Sequence, residues 1–391
     1  MSQIVMPNAR RFDGWIRLPV SKNRPVMFTS NDIERELWNT LEYYSEVEEV
    51  GLNLIQTKGL QPQSLYQEIF KHFRAFVRQA KSYYGSAKAL HYRSSSLLYY
   101  YSFLNLVKAY LLLKDPQRIM GRTNQAVTHG LSYRTSTTNT DFQLEVIRVG
   151  QGIFPMFYEA QTSNVISIQG NSVLRVIDLL SYPSDLAYQY ELTGYGSNRI
   201  LFSLATSVAD RTQNQSWTII GIPAVTNLDN FLTLPINFFK TYEEVQTDKN
   251  RFTLIFGRDT PELQGFRFFQ DRTTISFLPN GIVDLNAHID KISNALSPYF
   301  SVHYFDDNFD FELVLPYQDA TNSKPFNEAL AIYTVMFYLS SLVRYRPAYL
   351  EELLNHKPAW LIESFVNSTP ETFLRMMVSK IIGIDFVFRR R

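Results

Sequence analysis

Two long apolar segments near opposite ends of the chain dominate its pattern of hydrophobic and polar positions. Residues 94–114 read SSSLLYYYSFLNLVKAYLLLK, and residues 327–343 read NEALAIYTVMFYLSSLV. Apolar side chains on nearly every face of a helix are typical of burial in a protein core. The first segment contains polar residues, and its apolar run is shorter than the roughly 20 residues that a membrane span needs. We therefore predict two buried helices and no membrane span.

Apolar residues at helical spacing also occur in residues 33–49 and 64–84, and they return after residue 316. Three prolines of this C-terminal part, Pro347, Pro358 and Pro370, stand where each would occupy the first turn of a helix, a favoured position for proline. The pattern predicts short helices over residues 348–355, 359–367 and 371–382. Together with the long helices they form a helical body built from both ends of the chain.

The region between the two helical parts has alternating, β-branched positions and frequent turn residues, which are typical of short antiparallel strands. Residues 282–296 fit either a short helix or a hairpin. The sequence thus predicts an α+β fold, with parts at residues 1–140 (helical), 141–316 (β-rich) and 317–391 (helical). The predicted strands are residues 142–149, 172–180, 200–207, 216–222, 251–256, 266–269, 273–278, 301–305 and 311–315.

Composition narrows the classes of function. The 391 residues include 38 basic and 37 acidic side chains, a net charge of +1, so no global field attracts nucleic acid or an anionic membrane. The absence of cysteine excludes disulfides and thiolate chemistry. Because the N-terminus also lacks a signal-peptide pattern, we expect a cytoplasmic protein. No phosphate-loop, dinucleotide-binding, zinc-protease or α/β-hydrolase motif is present, and we expect no cofactor.

Three segments resemble a known family: HYRSSSLLYYYSFLNLVKAYLLL, then THGL, then ALAIYTVMFYLSSLVRYRPAYLEELL. Their content and order resemble the YaaC-like family of bacterial proteins. This resemblance implies a cytoplasmic bacterial protein and no particular reaction. Helical proteins of this kind are sometimes compared with HEPN domains, many of which are toxins or antiviral ribonucleases, and this analogy suggests phage defence.

Arg122 and His129 are the candidate catalytic pair. The HEPN ribonuclease signature is an arginine followed, after four to six residues, by a histidine, and six residues separate this pair. In metal-independent cleavage His129 would act as general base on a ribose 2′-hydroxyl, while Arg122 would stabilise charge on the phosphate. This chemistry requires RNA, and it usually needs two such sites in a dimer. The alternative is that His129 forms hydrogen bonds within a turn that ends at Gly130.

His91 and Arg93 immediately precede the first long helix, whose N-terminus is a natural anion site. We predict that they join Arg122 and His129 in one polar pocket. The alternative is a polar loop that simply leads into the helix.

Asn105 and Lys108 are further candidate binding residues, because with Ser102 they recur at every third position and share one side of the helix. That side either lines a cleft or packs, with its polar groups satisfied, against another polar helix. Arg344, at the end of the second long helix, complements the helix dipole, and we expect it to pair with a buried carboxylate.

An acidic cluster, Asp306, Asp307, Asp310 and Glu312 beside His303, has ligand types suited to a divalent metal. Ordinary turn chemistry explains the same residues, and we assign no metal site.

Three functional hypotheses follow. The first is an interaction or sensor protein whose β-rich insertion recognises a protein partner, a second copy of the chain included, or RNA or DNA. The second is a HEPN-like metal-independent ribonuclease or toxin that uses Arg122 and His129. The third is a metal-dependent nuclease. The sequence does not decide whether the protein is an enzyme.

Overall fold

The structure is a computed structural model, which describes residues 10, 13–18, 26–30, 32–121, 128–133, 142–168, 172–197, 199–225, 228–233, 238–245, 265–296, 299–302, 310–318, 323–384 and 386–389. The helices are α1 (Ile33–Glu46), α2 (Glu48–Thr57), α3 (Tyr66–Lys88), α4 (Tyr92–Leu112), α5 (Pro116–Met120), α6 (Ile153–Thr162), α7 (Val176–Leu179), α8 (Ala187–Leu192), α9 (Leu228–Thr233), α10 (Phe238–Thr241), α11 (Leu285–Leu296), α12 (Glu328–Tyr345), α13 (Pro347–Leu353) and α14 (Pro358–Ile382). Single 3₁₀ turns occupy Gln63–Leu65, Phe142–Leu144 and Ser184–Leu186.

The strands are short except for one long hairpin, β6 and β7. They are β1 (Gly14–Arg17), β2 (Val26–Thr29), β3 (His129–Tyr133), β4 (Val146–Gly152), β5 (Val173–Arg175), β6 (Ile200–Asp210), β7 (Gln215–Pro223), β8 (Tyr242–Val245), β9 (Phe266–Asp271), β10 (Ile275–Ser276), β11 (Phe300–Val302), β12 (Asp310–Val314), β13 (Tyr317–Gln318), β14 (Ser323–Lys324) and β15 (Phe386–Arg389). The predicted strand at residues 251–256 lies outside the described residues.

The chain divides into two compact units. A helical unit comprises residues 28–199, 317–386 and 391, and a β-rich unit comprises residues 1–27, 200–316 and 387–390. The predicted fold class is confirmed: helices from both ends of the chain form one body, and antiparallel sheet occupies the central region. This division falls after residues 199 and 316, so residues 141–199 lie with the helices. The three predicted parts stay a prediction.

Helix α4 is the central element of the helical unit, as its apolar sequence predicts. It packs against α3, α12 and α14. The ring of Phe103 stacks on Phe373 of α14 with centroids 4.0 Å apart. Tyr100 lies against Tyr333 and Phe337 of α12, at centroid distances of 5.6 and 5.4 Å. Each buried aromatic ring of this kind contributes about 1.5–3 kcal/mol through burial, which stabilises α4 at the centre of the unit.

The C-terminal helices differ from the prediction at Pro370. Residues 358–382 form one helix with Pro370 inside it, so the predicted helices at residues 359–367 and 371–382 are not separate. An internal proline removes one backbone hydrogen bond. Here the Thr369 hydroxyl donates to the Phe365 carbonyl at 2.7 Å, and Phe365 and Phe373 on either side of the proline are fully buried. Packing on both sides of the proline offsets the missing bond.

A small antiparallel sheet of order β3-β4-β5 belongs to the helical unit. Strand β3 begins at the candidate residue His129. His129 pairs with Gly152 of β4, and the register shifts between His129 and Leu131. Gly130 in this irregularity has φ +75°, and a Cβ there would lie 2.6 Å from the Pro155 ring. Only glycine fits such a position without strain, and it fixes the backbone next to His129.

The main sheet of the β-rich unit is antiparallel, in the order β11-β12-β6-β7-β9-β8, with β1 beside β6 and β10 beside β7. One apolar cluster joins Ile220, Phe269 and Leu313 of the sheet to Ile292 of α11, and a second includes Val208. Residues 282–296 fitted either a helix or a hairpin by sequence, and Leu285–Leu296 form a helix. Strands β2 and β15 pair separately. Within the described ranges, no helix has both the length and the apolar character of a membrane span.

Candidate functional site

A cavity of about 550 Å³ opens in the helical unit between strand β3 and the C-terminal half of α12. Its volume lies within the roughly 300–1,000 Å³ that is usual for small-molecule sites. The lining combines cationic, aromatic and hydroxyl side chains and contains no carboxylate. The lining residues are His129, Leu131, Ser132, Tyr133, Phe337, Ser341, Arg344, Tyr345 and Arg346.

His129 is hydrogen-bonded to the first of two linked, buried tyrosines. Its Nδ1 lies 2.8 Å from the Tyr100 hydroxyl, which in turn lies 3.4 Å from the Tyr333 hydroxyl. Burial lowers the pKa of His129, and the charges of Arg344 and Lys108 lower it further. The ring is therefore neutral at pH 7. Its other nitrogen, Nε2, makes no hydrogen bond with the described residues.

Arg344 is fixed in position without a carboxylate. Its Nη1 donates to the Tyr101 hydroxyl at 3.2 Å, and its Nε donates to the Ser340 carbonyl at 3.4 Å. The guanidinium carbon lies 4.9 Å from the centroid of the Tyr345 ring. We expected a buried carboxylate as its partner, and among the described residues no acidic side chain pairs with it.

Arg346 is likewise without an ion pair in the described part of the chain. Its guanidinium carbon lies 4.9 Å from the Tyr349 ring centroid, and its Nη1 is buried with no hydrogen-bond partner there. Tyr349 donates its hydroxyl to Oε1 of the buried Glu145 at 2.8 Å. Burial raises the pKa of Tyr133 above its usual value, and Glu145 raises it further. Tyr133 is therefore protonated and uncharged at neutral pH.

The predicted binding residues His91 and Arg93 do not meet His129. His91 caps α4, and its Nδ1 accepts from the Arg93 backbone N–H at 3.4 Å. The Arg93 guanidinium pairs with Glu351. Neither side chain lines the cavity, and their binding role stays a prediction. Arg122, the predicted catalytic partner of His129, lies outside the described residues.

Asn105 and Lys108 are not among the residues that line the cavity. The Asn105 amide donates to the Tyr101 carbonyl at 2.8 Å, one turn earlier in α4. The Lys108 ammonium lies 5.9 Å from the Phe76 ring centroid, and burial lowers the pKa of this lysine. The charge of Lys108 also lowers the pKa of His129, after burial and the charge of Arg344. Direct ligand binding by either residue stays a prediction.

The acidic cluster cannot be assembled from the described residues. His303, Asp306 and Asp307 lie outside them, while Asp310 and Glu312 are positions of strand β12. Among described residues, no group of three or more His, Asp or Glu side chains is arranged to hold a metal ion. The metal-dependent hypothesis therefore stays a prediction.

The β-rich unit contains a different polar cluster, centred on the fully buried His288. Its Nε2 lies 3.2 Å from the Ser207 hydroxyl and 3.0 Å from the Ser216 hydroxyl. Its Nδ1 lies 2.8 Å from the Thr218 hydroxyl. All four side chains are within 1% of complete burial, so no substrate reaches the hydroxyls and the cluster is structural.

Sequence reasoning missed Tyr133, Phe337, Tyr345 and Arg346 as cavity residues. It interpreted Arg344 as a cation that complements a helix terminus and pairs with a buried carboxylate. The available signal was the Arg-Tyr-Arg sequence after a buried helix, because two cations flanking an aromatic ring exceed what a helix terminus needs.

These features define the class of the protein. It is an α+β protein with a helical unit, an antiparallel insertion and a cationic, aromatic cavity. A model of the YaaC-like protein family matches residues 55–381, which include both walls of the cavity. The chain belongs to the YaaC-like family. No curated protein and no solved structure matches the chain.

Proposed function

We propose that this chain is a sensor or binding protein whose helical unit takes an anionic, phosphate-bearing ligand into the cavity between β3 and α12. One observation carries the proposal: Arg344 and Arg346 line the cavity, and no described carboxylate pairs with either. Guanidinium groups bind phosphate oxygens through paired, charge-assisted hydrogen bonds.

The energetics of the two arginines favour an anion in the cavity. Both side chains are only partly exposed, so each guanidinium has lost part of its hydration. A desolvated cation without a counter-charge is costly, and a bound anion removes that cost. Arg344 is already oriented by Tyr101 and Ser340, so binding requires little ordering of its side chain.

In this proposal a protein partner, which includes a second copy of the chain, contacts the β-rich unit. That unit has its own hydrophobic clusters, and this supports an independent recognition module. A nucleic-acid partner is the alternative. We also propose the cytoplasm as the location.

Arg344→Gln and Arg346→Gln are expected to weaken phosphate binding at least about tenfold each, because a hydrogen bond to a charged group is worth about 1.5–3 kcal/mol. The measurement is a calorimetric titration of the purified protein with inorganic phosphate. Arg118→Gln is the matched control, since Arg118 pairs with Glu159 outside the cavity lining. Thermal unfolding checks that each variant is folded.

Two results would overturn the proposal. One is the absence of saturable phosphate binding by the wild-type protein. The other is wild-type affinity in the folded double variant Arg344→Gln/Arg346→Gln.

A metal-independent ribonuclease is the second candidate, and the state of His129 favours it. A neutral imidazole at a cavity wall, with Nε2 free of described partners, can accept a proton, as a general base must. Arg344 lines the same cavity, and Arg122 stays the predicted partner. We expect such an enzyme to cleave RNA in the presence of a chelator and to lose cleavage in folded His129→Ala. If RNA stays intact after incubation with the wild-type protein, ligand binding remains as the proposed function.

A further inference from the structure

Tyr345, the last residue of α12, is exposed although most of that helix is buried. Its side chain retains 73% of its accessible surface, although the residues of α12 before Val343 are buried. Tyr345 also lines the cavity, between Arg344 and Arg346 in the sequence. The Arg344 guanidinium lies 4.9 Å from its ring centroid and is itself fixed by two hydrogen bonds. The ring is therefore a supported aromatic surface at the cationic site.

We infer that the phosphate-bearing ligand is a nucleotide whose base stacks on Tyr345 while Arg344 and Arg346 hold its phosphate. This inference rests on the proposed function. Aromatic side chains bind bases by stacking at about 1–3 kcal/mol per base, and a neighbouring arginine adds a cation–π contribution. Stacking suits every base, so the structure assigns the class of ligand and not the identity of the base.

The cavity itself argues for a ligand larger than an inorganic anion. Its volume of about 550 Å³ greatly exceeds what one phosphate ion would occupy, and apolar Leu131 and Phe337 share the lining with the arginines. A lone anion would leave these apolar groups in contact with water. A nucleotide combines a flat, partly apolar base with a phosphate, and it matches both parts of the lining.

A protein-docking patch is the competing explanation for an exposed tyrosine. Such patches are contiguous and apolar. Tyr345 instead stands between two arginines at the edge of a cavity, which is the environment of a charged, aromatic ligand. The same chemistry is offered by a free nucleotide and by a single-stranded RNA.

The test compares inorganic phosphate, ribose 5-phosphate, adenosine and uridine monophosphates and a five-nucleotide single-stranded RNA as ligands of the full chain. Both nucleoside monophosphates are expected to bind about five- to 150-fold more tightly than ribose 5-phosphate. Tyr345→Ala should bring the monophosphates to the affinity that ribose 5-phosphate has for the same variant, whereas Tyr345→Phe should keep the difference between them. Tyr188→Ala is the control, because Tyr188 is 67% exposed and lies outside the cavity lining.

The outcomes distinguish the nucleotide inference from the proposed binding of a phosphate-bearing ligand. The nucleotide inference alone is overturned if phosphate binding depends on Arg344 but the monophosphates bind no more tightly than ribose 5-phosphate. It is also overturned if the tighter binding of the monophosphates survives Tyr345→Ala. Absence of phosphate binding overturns both. Tighter binding of the RNA than of the monophosphates, lost in Tyr345→Ala, identifies a strand as the source of the ligand. Equal or weaker RNA binding identifies a free nucleotide.

Discussion

Phe103→Ala is expected to lower the free energy of unfolding by about 3–5 kcal/mol, the usual cost of truncating a buried phenylalanine. Phe103 is completely buried in α4, and its ring stacks on Phe373 at 4.0 Å with an interplanar angle of 24°. Alanine removes the ring at the contact of α4 with α14. The surrounding helices cannot close the resulting cavity, because each is also packed against other helices of the unit.

Urea unfolding followed by circular dichroism measures this effect, since the helical unit supplies most of the helical signal. Tyr188→Ala, which truncates an exposed aromatic residue of the same unit, should change the free energy of unfolding by less than about 0.5 kcal/mol. Phe373→Ala combined with Phe103→Ala should cost less than the two single variants added together, because the rings share one contact. A loss below about 1 kcal/mol in Phe103→Ala would contradict the stacked core.

The helices at this core are the part of the fold that the sequence predicts best. Residues 94–114 and 327–343 are apolar on nearly all faces, and only burial of both helices satisfies such a pattern. Pro370 shows the limit of local rules. A proline predicts a helix start, yet one helix continues through Pro370. Phe373 packs against Phe103 and Tyr333, which are distant from it in the sequence, and local rules do not anticipate such contacts.

The cavity could be predicted only in part. The spacing between Arg122 and His129 drew attention to His129, which does line the cavity. The residues actually around its ring, Tyr100 and Arg344, come from α4 and from the end of α12, far away in the sequence. Sequence spacing carries no information on such contacts. The packing of α12 on α4, and of β3 beside them, determines which side chains meet.

The His288 cluster could not be predicted either, because His288 is also distant in the sequence from the hydroxyl groups around it. Ser207, Ser216 and Thr218 are ordinary strand residues on β6 and β7, and alternation predicts only that some of them face inward. Their hydroxyls surround one imidazole because α11 packs on this sheet. The result is a titratable group with strong consequences for stability.

His288 is expected to lower the stability of the β-rich unit between about pH 6.5 and pH 4, because its imidazole resists protonation in the folded state. Burial lowers the pKa of His288 to about 4, and the charge of Lys291 adds to the shift, while Asp284 opposes it. In the unfolded chain the imidazole has its ordinary pKa near 6.5. As the pH falls, the unfolded state therefore binds a proton first and gains free energy relative to the folded state. At 1.36 kcal/mol per unit of pKa, the full loss approaches about 3 kcal/mol at pH 4.

Asp271 contributes with the opposite sign. Its Oδ2 lies 4.0 Å from His288 Nδ1 and accepts from the Thr218 backbone N–H at 2.7 Å, while its Oδ1 lies 3.1 Å from the Lys291 ammonium. Burial raises the pKa of Asp271 despite these contacts, so the folded state takes up that proton before the unfolded state does. Acid then stabilises the folded state between the raised pKa and the ordinary one. A difference between two proteins that both retain Asp271 isolates the histidine.

His288→Gln provides that difference, because glutamine can form hydrogen bonds with the surrounding hydroxyls and does not titrate. Urea unfolding at several pH values, read by pulsed hydrogen exchange of residues 215–223 at one fixed labelling pH, reports on the β-rich unit. The wild type should lose about 3 kcal/mol more than His288→Gln between pH 7 and pH 4. His356→Gln, at an exposed position of the helical unit, should keep the wild-type slope. Parallel pH profiles for wild type and His288→Gln would mean that the imidazole accepts a proton in place, which its complete burial opposes.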